Sequence, residues 1–102
     1  MICCAFVFMP GQYDLEFTRL DSAIDIYAKA LPGFIKTVKW FSDDRKTINS
    51  MYYFQNMETV EKLKNLPAHL KAKEGVNRWY LDYSVEVFEV ITQYGKSENS
   101  GN

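Results

Sequence analysis

The sequence predicts a single α+β domain of the ferredoxin-like kind, with the element order β-α-β-β-α-β, a four-stranded antiparallel sheet and both helices on one face. Three observations predict it. Four runs rich in aromatic and β-branched residues are separated by turn residues or by segments of helical period. The second and third runs are joined by five polar residues, the length of a hairpin loop. The chain has 102 residues, which suits one domain with one core.

The elements follow in order. Ile2–Met9 is an apolar run of Phe, Val and Ile that Pro10-Gly11 ends, a strand and then a break. From about Leu15 to Leu31 the apolar residues Phe17, Leu20, Ile24, Tyr27 and Leu31 recur at steps of three and four, which makes one helical stripe. Asp21, Asp25 and Lys29 fall off that stripe, and Thr18 with Asp21 offers a frayed cap. Pro32-Gly33 closes the helix. Phe34–Phe41 and Thr47–Phe54 are strands around the turn Ser42-Asp43-Asp44-Arg45-Lys46. Asn56 caps a short helix, Met57–Lys64, with Glu58 and Glu61 early and Lys62 and Lys64 late, as the helix dipole favours. Pro67 suits the first turn of a further helix that runs to about Arg78. Tyr83–Tyr94 reads as the last strand. The domain is therefore expected to span residues 1–94, with residues 95–102 a polar, disordered tail.

Composition narrows the function. Apolar residues make up 47% of the chain, and seven Tyr, seven Phe and two Trp supply enough ring surface for a core, an interface or a pocket for a flat ligand. The formal charge is −1 with no basic run, so nucleic acid is not an expected partner. No apolar stretch approaches the ~20 residues of a membrane span. Met1–Met9 lacks a basic leader and a cleavage site, and reads as a strand rather than a signal peptide. Cys3 and Cys4 are adjacent and point to opposite faces of a strand, so they do not pair; a reducing, cytoplasmic setting is expected. With one His and no carboxylate cluster beside it, no metal site is expected.

Both faces of the predicted sheet are apolar. In the first strand Ile2, Cys4, Phe6 and Phe8 alternate with Cys3, Ala5, Val7 and Met9, and in the last strand Tyr83, Val85 and Val87 oppose Phe88 and Val90. Helices cover one face only. The other is expected to be covered by a second copy in a homodimer, with Val87 as a contact position if it faces the partner.

His69 is the only histidine, and an imidazole suits proton abstraction from a phenol. The competing reading is a helix-surface histidine. By strand alternation Trp40 shares a face with Phe34 and Val38, and Tyr52 shares one with Ser50 and Phe54. If Phe34 and Phe54 face the helices, Trp40 and Tyr52 do too and could line a flat aromatic pocket, offering an N–H and an O–H, with ordinary core packing as the alternative. Trp79, Tyr80 and Tyr83 read either as a structural corner or as part of the same wall. Arg78 and Asn49 could hold a substrate oxygen, or lie at the surface.

Several motifs, in order and spacing, resemble the antibiotic biosynthesis monooxygenase domain family. They are Leu31-Pro32-Gly33-Phe34; Tyr53-Phe54-Gln55-Asn56, where the family often has Tyr-Trp-x-Ser; Pro67-Ala68-His69-Leu70-Lys71-Ala72; Trp79-Tyr80-Leu81-Asp82-Tyr83; and Tyr94-Gly95. The resemblance implies a dimeric α/β barrel. It also implies a cofactor-independent monooxygenase for a small aromatic substrate such as a phenol, quinol or anthrone. His69 would be its catalytic residue, with Trp40, Tyr52, Phe54, Trp79 and Tyr80 around the substrate. The family's haem-degrading branch has an Asn on the first strand, a Trp ending the third and a His on the later helix. Here the first strand has no Asn, Phe54 takes the Trp position and Lys73 the His position, so haem degradation is not implied. The alternative is a non-catalytic homodimer of the same fold that binds a small ligand or serves a stress-related role.

Overall fold

The computed structural model describes residues 1–96. Eight elements follow in the order β1 (Ile2–Pro10), α1 (Leu15–Ala30), β2 (Phe34–Phe41), β3 (Ile48–Phe54), α2 (Met57–Lys64), α3 (Pro67–Lys73), α4 (Val76–Trp79) and β4 (Tyr80–Glu89). The strands form one antiparallel sheet in the order β2-β3-β1-β4, with the most apolar strand, β1, inside it. Pairing places Ile2, Cys4, Phe6 and Phe8 on the same face as Tyr52 and Phe54, and this is the face the helices cover. The architecture is the predicted α+β, ferredoxin-like one. Among the described residues, no helix is long and apolar enough to cross a membrane.

Local signals explain the helix ends. Asp14, not Thr18 or Asp21, caps α1: its Oδ1 accepts the Phe17 N–H at 2.8 Å, while the Thr18 hydroxyl donates to the Asp14 carbonyl. The chain leaves α1 through Gly33, whose φ of 101° falls where side chains are strained. A Cβ there would also stand 2.5 Å from Thr59 Oγ1. That hydroxyl donates to the Pro32 carbonyl, and Asn56 caps α2 by accepting the Thr59 N–H at 3.0 Å. The exit of α1 and the start of α2 are thus tied together above the core of Ala28, Phe54 and Val60.

Three boundaries differ from the sequence expectation. The helix expected over 67–78 breaks into α3 and α4 at Glu74-Gly75, because the Trp79 ring lies against Gly75. The last strand starts at Tyr80 rather than Tyr83, since Tyr80 pairs with Pro10. It ends at Glu89 rather than Tyr94, because its partner β1 begins at Ile2; the Val90 N–H makes a last bond to the Met1 carbonyl. Ile91 and Tyr94 lie beyond the sheet and are almost fully exposed. Of the expected tail, residues 97–102 lie outside the described residues.

Two bulges reset which side chains share a face. Phe34 pairs with Phe54 but Lys36 with Tyr53, so Ile35 is an extra residue and every later position of β2 is inverted. Met9 pairs with Asp82 but Pro10 with Tyr80, which leaves Leu81 extra and turns Tyr80 to the same side as Tyr83.

Trp79 is 1% exposed and anchors the corner. Its carbonyl accepts the Gly11 N–H at 2.8 Å, and its ring would meet a Cβ on Gly75 at 2.5 Å. Overpacking of this kind typically costs about 1–3 kcal/mol. Gly75→Ala should therefore lower the midpoint of thermal unfolding by at least ~4 °C, measured by circular dichroism. An unchanged midpoint would show that the ring is not seated on that glycine.

Candidate functional site

The helix layer does not close down on the sheet along its whole length. At the α2 end Phe54, Ala28 and Val60 pack as a core, while toward α3 and α4 the two layers leave a half-open cavity of about 920 Å³ between them. That is the size range of small-ligand sites. Phe6 and Phe8 of β1, Ser50 and Tyr52 of β3, and Tyr80 and Tyr83 of β4 form its floor; Leu20 and Ile24 of α1, His69 of α3, and Trp79 help to form the roof.

The walls are aromatic. Phe6 and Phe8 stack with centroids 4.8 Å apart, Tyr80 stands edge-on to Phe6 at 5.1 Å, and Phe17 stands edge-on to Trp79 at 5.4 Å. These are the geometries aromatic rings favour, and they leave ring faces free to stack on a flat guest. Burial pushes the Tyr80 hydroxyl far above its usual range, with Tyr13 and Asp21 adding to the effect, so it stays protonated. Cys4 also lines the cavity. Burial first, and Cys3 second, raise its thiol to about 11, which makes it a poor nucleophile.

Polar side chains interrupt this surface on two sides. On one side Tyr52 donates its hydroxyl to Asp25 Oδ1 at 2.6 Å, and Lys29 holds Asp25 Oδ2 at 3.0 Å. Burial alone would raise the Asp25 carboxyl, but Tyr52 and Lys29 bring it below its ordinary value. Asp21, one turn earlier on α1, lacks such donors, and burial raises it. On the other side stands His69. Its Nδ1 is buried with no hydrogen-bond partner among the described residues. Burial, then Lys73 and Lys64, lower its proton affinity, partly opposed by the Lys64 backbone carbonyl. The imidazole is therefore neutral at pH 7 and free to accept a proton.

Of the residues singled out in the sequence, His69, Tyr52, Trp79 and Tyr80 line the cavity together. Trp40 and Phe54 do not. The bulge at Ile35 turns Trp40 to the far face, where it pairs with Asn49 and is 63% exposed. Phe54 is completely buried in the core beside the cavity. Arg78 lies outside, bonded to Glu16 and stacked on Trp79, and Asn49 is on the far face of the sheet. Sequence reasoning missed Phe6, Phe8, Phe17, Asp21 and Asp25 as site residues. The signal for the two aspartates was their placement beside the apolar stripe of α1. Among the described residues, no group of three or more His, Cys, Asp or Glu comes together as a metal site would need.

The Tyr52–Asp25 bond gives a direct test. Hydrogen bonds to charged groups contribute about 1.5–3 kcal/mol, less where one partner is partly exposed, as Asp25 is. Tyr52→Phe should destabilise the protein at pH 7 by roughly 1 kcal/mol, read from chemical denaturation. The folded Asp25 carboxyl is depressed below its unfolded value, so its contribution exists above the unfolded pKa and is lost as pH falls through the folded one. The gap between wild type and variant should accordingly narrow as the solution is taken to strongly acidic pH.

No family model matches the chain, and no curated protein does. Solved structures do match. Rv0793 from Mycobacterium tuberculosis superposes with a TM-score of 0.72 at 16% identity, covering 92% of this chain and 98% of that one. SnoaB from Streptomyces nogalater, a cofactor-independent oxygenase, gives 0.71 at 10% identity, covering 93% and 97%. A Deinococcus radiodurans protein described as a candidate antibiotic biosynthesis monooxygenase gives 0.67 at 10% identity, covering 95% and 99%. At such identities the likeness is one of fold, and it spans nearly the full length of each chain. This chain is therefore built on the monooxygenase-like α+β fold of the antibiotic biosynthesis monooxygenase structures.

Proposed function

We propose that the protein is a cofactor-independent monooxygenase of a small aromatic substrate, a phenol, quinol or anthrone, and that His69 is its base. One observation carries the reading: a ring-lined cavity contains an imidazole whose Nδ1 is buried, unpartnered and held neutral. The shared fold with an oxygenase that needs no cofactor supports it.

The chemistry follows from those groups. The substrate stacks among Phe6, Tyr80 and Trp79. His69 takes the phenolic proton, and the ring is left as an electron-rich anion. That anion supplies the electrons that reduce O₂: a C–O bond forms at the activated carbon and gives a peroxide anion, which takes back the proton held by His69 and becomes a hydroperoxide. Loss of water breaks the O–O bond and the remaining C–H bond, so one oxygen stays as a carbonyl and the other leaves as water with the carbon-bound proton. Tyr80, held protonated and lining the cavity, would donate its hydroxyl to an oxygen of the substrate, while the Tyr52 hydroxyl remains bonded to Asp25. The apolar walls limit water at the anion.

The protein is further proposed to work as a homodimer joined through the far face of the sheet. That face carries Ala5, Val7, Met51 and the exposed Trp40, and the buried Oδ1 of Asn49 has no partner among the described residues. Val87 pairs with Cys4 and so lies on the cavity side, not in this contact. Val7→Asp should therefore shift sedimentation from dimer to monomer at micromolar concentration, whereas a monomeric wild-type protein would refute the arrangement.

The base is tested by oxygen uptake. Positioned acid–base groups contribute about 10²–10⁴-fold. His69→Gln should lower kcat by that order on a quinol or anthrone that the wild type turns over, with thermal stability retained. Because the folded His69 binds its proton less tightly than the unfolded one, neutral His69 persists below pH 6.5. Activity should fall only on acidification past that point, and stability should decline over the same range. An acid limb that survives in His69→Gln would assign proton abstraction to another group.

A further inference from the structure

We propose that the ligand of this cavity is an aromatic acid, an apolar ring body with one carboxylate, and that Lys64 and Lys73 receive the carboxylate beside His69. The proposal rests on the cavity being the substrate site, though not on the reaction with oxygen.

The charges around the cavity are unevenly matched. Lys29, Lys39, Lys64 and Lys73 line it, against Asp21 and Asp25. On the α1 side the charges offset one another. Lys29 bonds Asp25 at 3.0 Å, and Lys39 acts on both Asp25 and Asp21. On the α2–α3 side no carboxylate lines the wall. Lys64, the last residue of α2, has Glu61 at 3.5 Å, a residue one turn back on its own helix and outside the cavity. Lys73, the last residue of α3, has no ion-pair partner among the described residues. Lys64 and Lys73, both exposed, thus stand at the rim of one end of the cavity, where no carboxylate of the lining offsets them.

His69 completes the arrangement. It lies four residues before Lys73 and so on the same face of α3. Its Nδ1 is buried without a partner, and Lys73 and Lys64 both act on the imidazole. Two ammonium groups beside a neutral ring call for an anionic oxygen from the ligand, which they would hold next to His69. A neutral amide in the same place would accept from one ammonium group but form no ion pair with either. Such bonds distinguish an anion from its neutral isostere by about ten- to a hundredfold in affinity.

The probes are 1-naphthoate and 1-naphthamide, matched in shape, titrated calorimetrically into the full-length protein at pH 7.5. The His69 imidazole resonance serves as the site reporter, unambiguous because the sequence has one histidine. Naphthoate is expected to bind at least about tenfold more tightly than naphthamide and to move the His69 resonance. The doubly substituted Lys64→Gln/Lys73→Gln protein should lose that preference and keep its unfolding midpoint. Lys71→Gln, which removes a lysine paired with Glu74 away from the cavity, should retain it. Equal binding of the two probes, or a preference that survives the double substitution, overturns the carboxylate subsite and leaves the aromatic cavity standing. Failure of both probes to bind overturns the subsite together with the cavity reading beneath it.

Discussion

The seating of one indole determines how the helices and the sheet stand to each other. Trp79 is buried at the junction of α4 and β4, with its ring on Gly75, its carbonyl bonded to the Gly11 N–H and Phe17 against its edge. Those three contacts belong to the end of the α3–α4 segment, the exit of β1 and the first turn of α1. Together they set the height of the helix layer over the sheet at one end. At the other end Phe54, Ala28 and Val60 bring the layers into direct packing. Two fixed ends at different heights leave a wedge, and the wedge is the cavity. Trp79, Phe17 and Val60, which help to hold it open, also line it.

This division has an energetic cost. The fully buried side chains of appreciable size are Trp79, Phe54, Val60 and Cys3, a thin core for a domain of this length. Rings that line a cavity forgo dispersion contacts they would make in a filled interior. A small domain has little burial to spare. Anything that fills the wedge or covers the far face of the sheet adds stability that the isolated fold lacks, in proportion to its occupancy. Stability and ligand recognition therefore draw in part on the same apolar surfaces.

Much of the fold was legible in the sequence because it depends on local pattern. The hairpin strands, the Asn56 cap and the helix stripe of Phe17, Leu20 and Ile24 all follow from spacing and turn chemistry. The Asp14 cap was legible too, since Asp directly before Leu15 has the right form, but Thr18 and Asp21 competed for the role. Other features depended on distant partners. The end of β4 is set by where β1 begins. The break at Gly75 is set by the ring four residues later. At the site, His69 and Tyr52 could be placed by helix and strand period, whereas Trp40 could not, because period two fails at a bulge. Asp21 and Asp25 looked like the solvent side of α1. They border the cavity because the layer above the sheet is propped open there.

The extra residue at Ile35 has a consequence for how such proteins diversify. Beyond it, Thr37 and Lys39 face the cavity while Lys36 and Trp40 face away. Deleting that single residue would remove the bulge and leave both sets where they are, because Lys36 would then follow Phe34 by plain alternation and still pair with Tyr53 on the far face. The facing of the row is held by its pairing with β3, so a one-residue gap at this point in an alignment of related chains marks the loss of a bulge with the cavity wall preserved.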